Sequence, residues 1–237
     1  MTGVWEQWDH VKKIDPAKTL HNRDSYAGIA STGTDAIILG GTTNVTESSV
    51  RSILDALVSV EIPVFVEPTY HPTKFHHDTL TGYLIPIVLN AGDRTWVTGA
   101  HHEWVRSTET IDWELTHTVA YIVLNSESSV ATYTQAGCDL DVDDVVAYAE
   151  LAEQILGQQI VYLEYSGTLG NSAIVAAARD ALSSAQLFYG GGIHDYESAC
   201  EMASVADTIV VDNVLHEAGI EAVEATVRGA TDAHHES

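Results

Sequence analysis

Three segments in the second half of the chain combine glycine or amide groups with side chains suited to binding an anion. They are 162–167 (YLEYSG), 190–192 (GGG) and 212–213 (DN), and each lies at the end of a short apolar run. Successive N–H groups at glycine turns beside a helix N-terminus bind phosphate or another anion. A plain turn is the alternative for the triple glycine taken alone, so its place in the fold decides between the two.

A carboxylate and a hydroxyl follow the first two apolar runs of the chain. Asp15 comes directly after His10–Ile14, and Thr42 comes directly after Ala36–Gly41. This pair suits Mg²⁺, which binds one or two protein oxygens together with waters and the phosphate oxygens of a substrate. Turn chemistry at Asp15 and helix capping at Thr42 are the alternative explanations.

Lys13 lies inside the first of these runs, in a chain that has only four lysines (Lys12, Lys13, Lys18 and Lys74). Because lysine is so rare here, we interpret Lys13 as a residue retained to bind an anion. The alternative is a lysine on the closed floor of the fold, with no ligand.

Eight short apolar runs are predicted as the strands that position these groups. Most of them are continuously apolar, which is typical of parallel strands buried on both faces. The predicted strands are His10–Ile14, Ala36–Gly41, Val64–Glu67, Tyr83–Leu89, Ala120–Leu124, Ile160–Glu164, Ala185–Tyr189 and Thr208–Val211.

Helical periodicity separates most of these runs. The segment Thr69–Gly82 is rich in His and Thr and lacks that periodicity, so we expect a loop in place of the third helix. The residues after about Gly229 are expected to form a frayed tail. The predicted helices are Val45–Val60, Val142–Leu156, Ser172–Leu182 and Tyr196–Val205.

Strand–helix alternation over 237 residues, without a Pro/Gly/Ser-rich linker, predicts an α/β protein with a single (β/α)8 TIM barrel spanning residues 1–237. Active sites of such barrels lie at the carboxyl ends of the strands, and the loops after strands seven and eight form the usual phosphate site. Asp15, Thr42, the triple glycine and Asn213 all follow predicted strands. Their shared position favours a phosphate site over plain turns.

The chain is strongly acidic, with 34 Asp and Glu against 10 Lys and Arg and a formal net charge of −24. This charge disfavours nucleic acid and anionic membrane surfaces as partners. The periodic apolar pattern argues against disorder, so we interpret the acidity as adaptation to high salt. No apolar run reaches the roughly 18 residues of a spanning helix, and the N-terminus lacks a secretory signal, so a cytoplasmic protein without stable membrane insertion is expected.

Six segments resemble the conserved blocks of the geranylgeranylglyceryl phosphate synthases, in particular the subgroup that includes the bacterial PcrB-type heptaprenylglyceryl phosphate synthases. The resemblance is collinear over nearly the whole chain, and its most specific part is the pair YLEYSG and YGGGI. The segments are His10–Lys18, Gly33–Thr42, Asn90–Glu103, Tyr162–Gly170, Leu187–Ile193 and Ala206–Asn213.

The resemblance implies a prenyltransferase that forms the first ether bond of archaeal membrane lipids. It would join sn-glycerol 1-phosphate to C1 of geranylgeranyl diphosphate with Mg²⁺, and relatives are often homodimers. Asp15 and Thr42 would hold Mg²⁺, while Glu164 would orient the glycerol 3-hydroxyl and accept its proton. By position, the glycerol phosphate site would comprise Lys13, Tyr162, Leu163, Glu164, Tyr165, Ser166, Gly167, Gly192, Asp212 and Asn213.

Two positions depart from the family pattern. The glycine that usually precedes the final asparagine is Asp212 here, which places a carboxylate beside the phosphate site, and the metal-site serine is Thr42. A third position, Trp104, falls where long-chain bacterial relatives carry a small residue. It would close the prenyl groove and favour a C20 donor, with simple helix packing as the alternative.

Other functions remain open from the sequence alone. They are the same chemistry with a longer prenyl donor, a sugar-phosphate isomerase on the same type of barrel, and a non-catalytic prenyl- or phosphate-binding protein. An isomerase usually needs an acid/base pair at opposed strand ends and no prenyl groove. The joint presence of Lys13, Asp15, Thr42 and Glu164 argues against loss of catalysis.

Overall fold

Eight parallel strands close into a barrel in chain order in the computed structural model, which describes residues 3–20, 25–68 and 77–236. Val11 lies opposite Ala36 on one side and opposite Val210 on the other, so the first strand closes the ring against the last. The predicted TIM barrel is confirmed, and each predicted run overlaps one strand. The strands are β1 (His10–Ile14), β2 (Ala36–Leu39), β3 (Val64–Val66), β4 (Gly82–Val88), β5 (Thr116–Val123), β6 (Ile160–Glu164), β7 (Gln186–Gly190) and β8 (Thr208–Val211).

Helices surround this barrel, and all four predicted helices are present with shorter ends. Among the described ranges, none of the helices has both the length and the apolar composition that crossing a membrane requires. A π-helical turn, Leu151–Ile155, extends α5, and short 3₁₀ turns cover Val4–Gln7 and Arg94–Trp96. The helices are α1 (Tyr26–Ala30), α2 (Glu47–Ala56), α3 (Gly99–Ser107), α4 (Ser129–Thr134), α5 (Val142–Glu150), α6 (Ser172–Ala181), α7 (Tyr196–Ala203), α8 (Asn213–Ala218) and α9 (Ile220–Glu236).

The strands divide their apolar side chains between two cores because successive residues point to opposite faces. On β2, Ala36 and Ile38 belong to the core inside the barrel, whereas Ile37 and Leu39 belong to the core beneath the helices. Trp8, just before β1, is buried in the inner core and fills the N-terminal end of the barrel. The carboxyl end is left for a cavity.

The segment between β3 and β4 lies partly outside the described residues. Residues 77–81 contain turns and no helix, whereas 69–76, and with them most of the expected loop, are not described.

The expectation of a frayed tail after Gly229 is wrong, because α9 continues to Glu236. Ala230 and Ala233 are buried, and His234 Nδ1 lies 2.7 Å from Asp9 Oδ1. A Cβ at position 229 would come within 2.4 Å of the Tyr196 carbonyl, so the glycine lets α9 pack closely on α7. Small residues on one helical face therefore anchor a segment whose composition resembles a loose end.

Candidate active site at the carboxyl end of the barrel

A cavity of about 930 Å³ opens at the carboxyl ends of the barrel strands. It collects residues from both halves of the barrel, as expected for an active site of this fold. Leu163, Tyr165 and Trp104 are predicted site residues that do not line it. The predicted residues that do line it are Lys13, Asp15, Thr42, Tyr162, Glu164, Ser166, Gly167, Gly192, Asp212 and Asn213.

Lys13 is held at the floor of this cavity by Glu67. The Lys13 ammonium donates to Oε1 and Oε2 of Glu67 at 3.1 and 3.2 Å, and the Tyr121 hydroxyl donates to Oε2 at 2.5 Å. Burial acts to lower the pKa of Lys13, but the carboxylates of Glu67, Glu164 and Asp212 together raise it above its ordinary value. Lys13 is therefore a fixed, permanently charged ammonium.

Two stacked tyrosines form one wall beside this ammonium. The rings of Tyr121 and Tyr162 lie 4.4 Å apart at an interplanar angle of 10°, and Lys13 Nζ is 5.9 Å from each centroid. Burial, and then nearby carboxylates, raise the pKa of both hydroxyls far above the ordinary value. Both tyrosines stay neutral, so they can donate a hydrogen bond but cannot act as bases near neutral pH.

Glu164 ends β6 and is only 4% exposed. Its Oε1 accepts the Ser166 N–H at 2.7 Å. Burial raises the pKa of Glu164, while Lys13 and the hydrogen bonds from Ser166 act against that rise. A buried carboxylate with a raised pKa and a neighbouring ammonium has the properties of a general base.

The loops after β6 and β7 fit together through glycine. Gly191 and Gly192 have φ values of +141° and +66°, which favour glycine. A Cβ at Gly192 would lie 2.1 Å from the Leu169 N, so this close approach of two backbones excludes any other residue. The result is a run of backbone that lines the cavity at the predicted phosphate position, together with Ser166 and Gly167.

Leu163 and Tyr165 were predicted to contact the substrate, but their side chains lie elsewhere. Leu163 is fully buried in the core beneath the helices, and Tyr165 packs in the same core with its ring 5.8 Å from that of Tyr189. Alternation along β6 explains this, since Tyr162 and Glu164 face the cavity and their neighbours face outward.

Asp212 occupies its position without backbone strain. Its φ of −108° is available to any residue, so the fold needs no glycine there. Its Oδ2 lies 3.7 Å from Lys18 Nζ, and its Oδ1 lies 3.9 Å from His216 Nε2. Burial lowers the pKa of His216, so Lys18 is the neighbouring cation that offsets the charge of this additional carboxylate.

Lys12, on the outer face of β1, contacts the backbone at Asp212 and the end of β8. Its side chain is fully buried and donates to the carbonyls of Val211, at 2.6 Å, and Asp212. Burial, and then Lys18, lower the pKa of Lys12 to about 7, although Asp212 acts to raise it. Lys12 therefore ties the end of β8 to β1 and does not line the cavity.

Asp15 and Thr42 both line the cavity next to the β1 and β2 ends, where Mg²⁺ is expected. A Cβ at Gly41 would come within 2.6 Å of Asp15 Oδ1, so this glycine makes room for the carboxylate. The Thr42 hydroxyl accepts from Ser129 Oγ at 3.2 Å. The described residues contain no group of three or more His, Cys, Asp or Glu that could hold a metal. Two oxygen ligands fit Mg²⁺, which keeps waters and substrate oxygens.

One apolar part of the cavity wall comes from β4 and α4. Pro86, Val88 and Val130 line it. The His101 side chain of α3 contacts the Pro86 carbonyl at 2.9 Å through Nε2, which fixes α3 against β4. Trp104, also on α3, is half-buried and packs edge-on against Trp113, with centroids 6.2 Å apart.

Glu67 and Tyr121 are site residues that were not predicted from the sequence. Glu67 directly follows β3, so the rule that selected Asp15 and Thr42 also applies to it. Tyr121 lies within the apolar run of β5, where the sequence alone does not show which residues face the barrel interior.

Sequence comparison identifies close relatives of the whole chain. The profile of the PcrB family matches residues 4–230. Geranylgeranylglyceryl phosphate synthase of Natronomonas pharaonis is 52% identical over 233 residues, covering 98% of this chain and 99% of the relative. The protein of the same name from Halobacterium salinarum is 52% identical and covers 100% of both chains. Heptaprenylglyceryl phosphate synthase of Listeria monocytogenes is 41% identical, covering 88% of this chain and 92% of the relative.

Structural comparison supports the same architecture. The fold resembles the crystal structure of (S)-3-O-geranylgeranylglyceryl phosphate synthase from Thermoplasma acidophilum in complex with its substrate sn-glycerol-1-phosphate, with a TM-score of 0.78. The two share 23% sequence identity, and the match covers 94% of this chain and 93% of the other. At this identity the likeness establishes a common fold.

Proposed function

Because this chain belongs to the PcrB family, we propose that it transfers the geranylgeranyl group of geranylgeranyl diphosphate to sn-glycerol 1-phosphate, releasing diphosphate. In the structure, the observation that carries the proposal is a buried carboxylate, Glu164, in one cavity with the fixed ammonium of Lys13 and the glycine loops. The relatives at 52% identity, both named geranylgeranylglyceryl phosphate synthase, support this choice of substrates.

Glycerol phosphate is assigned to the side of the cavity formed by β6, β7 and β8. The backbone of Gly167 and Gly192, together with Ser166 and Asn213, would surround the phosphate, and all four line the cavity. The glycerol hydroxyls would then lie toward Tyr162 and Glu164. This placement brings a hydroxyl to the buried carboxylate.

Ether formation requires one bond to form and one to break. The oxygen of the glycerol 3-hydroxyl attacks C1 of the prenyl group, and the bond from C1 to the diphosphate oxygen breaks with its electron pair leaving on diphosphate. The hydroxyl proton passes to Glu164, whose raised pKa makes it a stronger base than an exposed carboxylate. Lys13 stays charged and stabilises anionic groups at the cavity floor.

Diphosphate is assigned to the opposite side, at the ends of β1 and β2. Asp15 and Thr42 would hold Mg²⁺ there, and their oxygen ligands suit that ion. When bound, the ion would supply electrostatic stabilisation of the leaving diphosphate.

The prenyl chain is assigned to the apolar wall of Pro86, Val88 and Val130. Trp104 would limit the length of this groove from α3, and we propose a C20 donor for that reason. A longer donor is the alternative, since the relative from Listeria monocytogenes is named for a heptaprenyl product. We also expect a homodimer, which light scattering tests directly.

The test is product formation from radiolabelled sn-glycerol 1-phosphate and geranylgeranyl diphosphate, with Mg²⁺ or with a chelator. A labelled product extractable into organic solvent only with Mg²⁺ is the expected result. Farnesyl and heptaprenyl diphosphates, run in parallel, rank the donors. No extractable product with any donor, from protein shown to be folded by circular dichroism, would refute the proposed transfer.

A further inference from the structure

Three of the four lysines of this chain are close together in the sequence. Lys12, Lys13 and Lys18 lie within seven positions of each other in a chain of 237 residues that has four lysines altogether. Lys12 donates to the carbonyls of Val211 and Asp212, and Lys13 is paired with Glu67. Lys18 follows β1 and lines the cavity, and neither the family resemblance nor the proposed function above gives it a role.

Lys18 is directed toward the predicted substrate side by three polar neighbours. Its ammonium donates to Asn213 Oδ1 at 2.7 Å, and it lies 3.7 Å from Asp212 Oδ2 and 3.8 Å from Asp15 Oδ2. Asn213 belongs to the proposed glycerol phosphate side and Asp15 to the proposed diphosphate side. The ammonium therefore lies between the two, and its side chain is 40% exposed.

The cavity is lined by more acidic than basic side chains, so binding of an anion there requires a cation. Lys13 and Lys18 are the only lysine or arginine residues among the described residues that line it. Both substrates of the proposed reaction are anions, and the Lys13 ammonium already forms an ion pair with Glu67. An anion that enters a negatively charged cavity needs positive charge that is not already neutralised at short range. The lining acids are Asp15, Glu67, Glu127, Glu164, Asp212 and Glu217.

We propose that Lys18 binds phosphate oxygens of an incoming substrate at the mouth of the cavity, exchanging its long contacts with Asp15 and Asp212 for the phosphate. The inference rests on the proposed function. Ion pairs at 3.7–3.8 Å between partly exposed groups are weak, so a phosphate oxygen at hydrogen-bond distance displaces them readily. The phosphate belongs either to glycerol phosphate or to the diphosphate, and the chemistry of recognition is the same for both.

A purely structural role makes a different prediction. Lys18 also bridges the loop after β1 to the start of α8 through Asn213. If this bridge is its only role, its loss lowers thermal stability and leaves the affinity for phosphates unchanged.

The experiment measures the binding of two probes by calorimetry at one fixed, high KCl concentration. The probes are sn-glycerol 1-phosphate alone and inorganic pyrophosphate with Mg²⁺, each titrated into wild-type protein and the Lys18→Gln and Lys18→Arg variants. The matched control is Arg51→Gln, which removes an equally exposed cation (40%) on α2 outside the cavity lining. Melting temperatures are recorded for all four proteins.

Lys18→Gln is expected to lower the affinity for one of the two probes about tenfold, the effect of losing one charge-assisted hydrogen bond. Lys18→Arg should recover part of the affinity, and Arg51→Gln should bind like wild type. Loss confined to glycerol phosphate assigns Lys18 to that substrate, and loss confined to pyrophosphate assigns it to the diphosphate. Unchanged affinity for both probes in Lys18→Gln overturns the inference. If the wild type forms prenylated product in that case, the proposed function still stands. If the wild type forms no product, the proposed function is refuted, whatever the role of Lys18.

Discussion

The Lys13 ammonium lies 3.1 Å from Oε1 and 3.2 Å from Oε2 of Glu67, so an ion pair joins β1 to the residue that follows β3, across the floor of the cavity. Both side chains are largely buried, at 11% and 14% exposure. The Tyr121 hydroxyl fixes Glu67 from β5. Contacts from β1, β5 and the end of β3 thus fix the position of one positive charge in the cavity.

Glu67→Gln is expected to lower kcat/KM for glycerol phosphate by about one to two orders of magnitude, because the buried ammonium loses its charged partner and its fixed position. The acid limb of the kcat–pH profile should also move to lower pH. Glu67 is among the groups that raise the pKa of Glu164, so its neutralisation lets Glu164 ionise at lower pH. Steady-state kinetics across pH provide the measurement.

Glu67→Asp provides the control, since it keeps the charge on a shorter side chain. It should restore the position of the pH limb even where kcat stays low. A Glu67→Gln enzyme with wild-type kinetics and an unmoved limb would show that the ion pair has no part in the reaction.

Glu164→Gln is expected to leave the affinity for glycerol phosphate within a few-fold of wild type while turnover falls by about two to four orders of magnitude, the usual contribution of a general base. The amide keeps the shape and can still accept the Ser166 N–H, but it cannot take a proton. Calorimetry and single-turnover kinetics separate the two effects. The exposed Glu109→Gln, outside the cavity, is the matched control. Unchanged turnover in Glu164→Gln would remove Glu164 from the base role.

The barrel was predictable because its strands are short and continuously apolar, with polar residues directly after them. That pattern marked β1 and β6 at their observed ends, and it also located Asp15, Thr42 and Glu164 at one face. The first residues of the strands were less clear from the sequence. β5 begins at Thr116, earlier than predicted, because its first residues are polar and partly exposed.

The rest of the site depends on alternation and tertiary packing, which apolar runs do not reveal. In a strand buried on both faces, both sets of side chains are apolar, so Tyr121 gave no sign of facing inward. Leu163 and Tyr165 were assigned to the site by position from the family resemblance, which covers the whole segment 162–167 and does not distinguish the two faces of the chain; both side chains face the helices. The end of α9 was missed because the buried residues after Gly229 are alanines, Ala230 and Ala233, whose small side chains pack the helix closely on α7.

Glu153 should stabilise the protein in a pH-dependent way. Its carboxylate accepts N–H groups of Ser183, Ser184 and Ala185 at distances between 2.6 and 3.1 Å. Burial acts to raise its pKa, but these hydrogen bonds lower it from 4.5 to about 2. Since the folded pKa lies below the unfolded value, this stabilisation is fully present above pH 4.5 and is lost as the pH falls toward 2.

Glu153→Gln is accordingly expected to lower the free energy of unfolding by about 1–2 kcal/mol near neutral pH, a figure kept small because the site is partly solvated. The deficit should shrink as the pH falls below 4.5, where wild-type Glu153 takes up a proton. Denaturant unfolding of both proteins at a series of pH values measures it. A deficit that is constant with pH would contradict the assigned cause.

Trp104→Ala is expected to let the enzyme accept longer prenyl diphosphates, if the indole on α3 limits the groove. Trp104 does not line the cavity directly, so the effect requires the chain to extend past Pro86 and Val88 toward α3. Relative kcat/KM values for C15, C20 and C35 donors are the measurement. Trp113→Ala is the control, because it removes the ring that packs on Trp104 while leaving Trp104 in place. An unchanged donor ranking in Trp104→Ala would leave helix packing as the role of Trp104.

The stability of the folded protein should increase with salt concentration. With 34 acidic residues against 10 Lys and Arg, most surface carboxylates have no cation to pair with, and their mutual repulsion favours unfolding. The Debye length falls from about 10 Å at 0.1 M salt to about 3 Å at 1 M, which confines this repulsion to near neighbours. The melting temperature is therefore expected to rise steadily with KCl up to molar concentrations, and activity should rise with it. NaCl at equal ionic strength distinguishes screening from specific ion binding, since screening alone predicts the same curve for both salts. A protein that stays fully folded and active after dialysis into dilute buffer would show that its acidity is not an adaptation to salt.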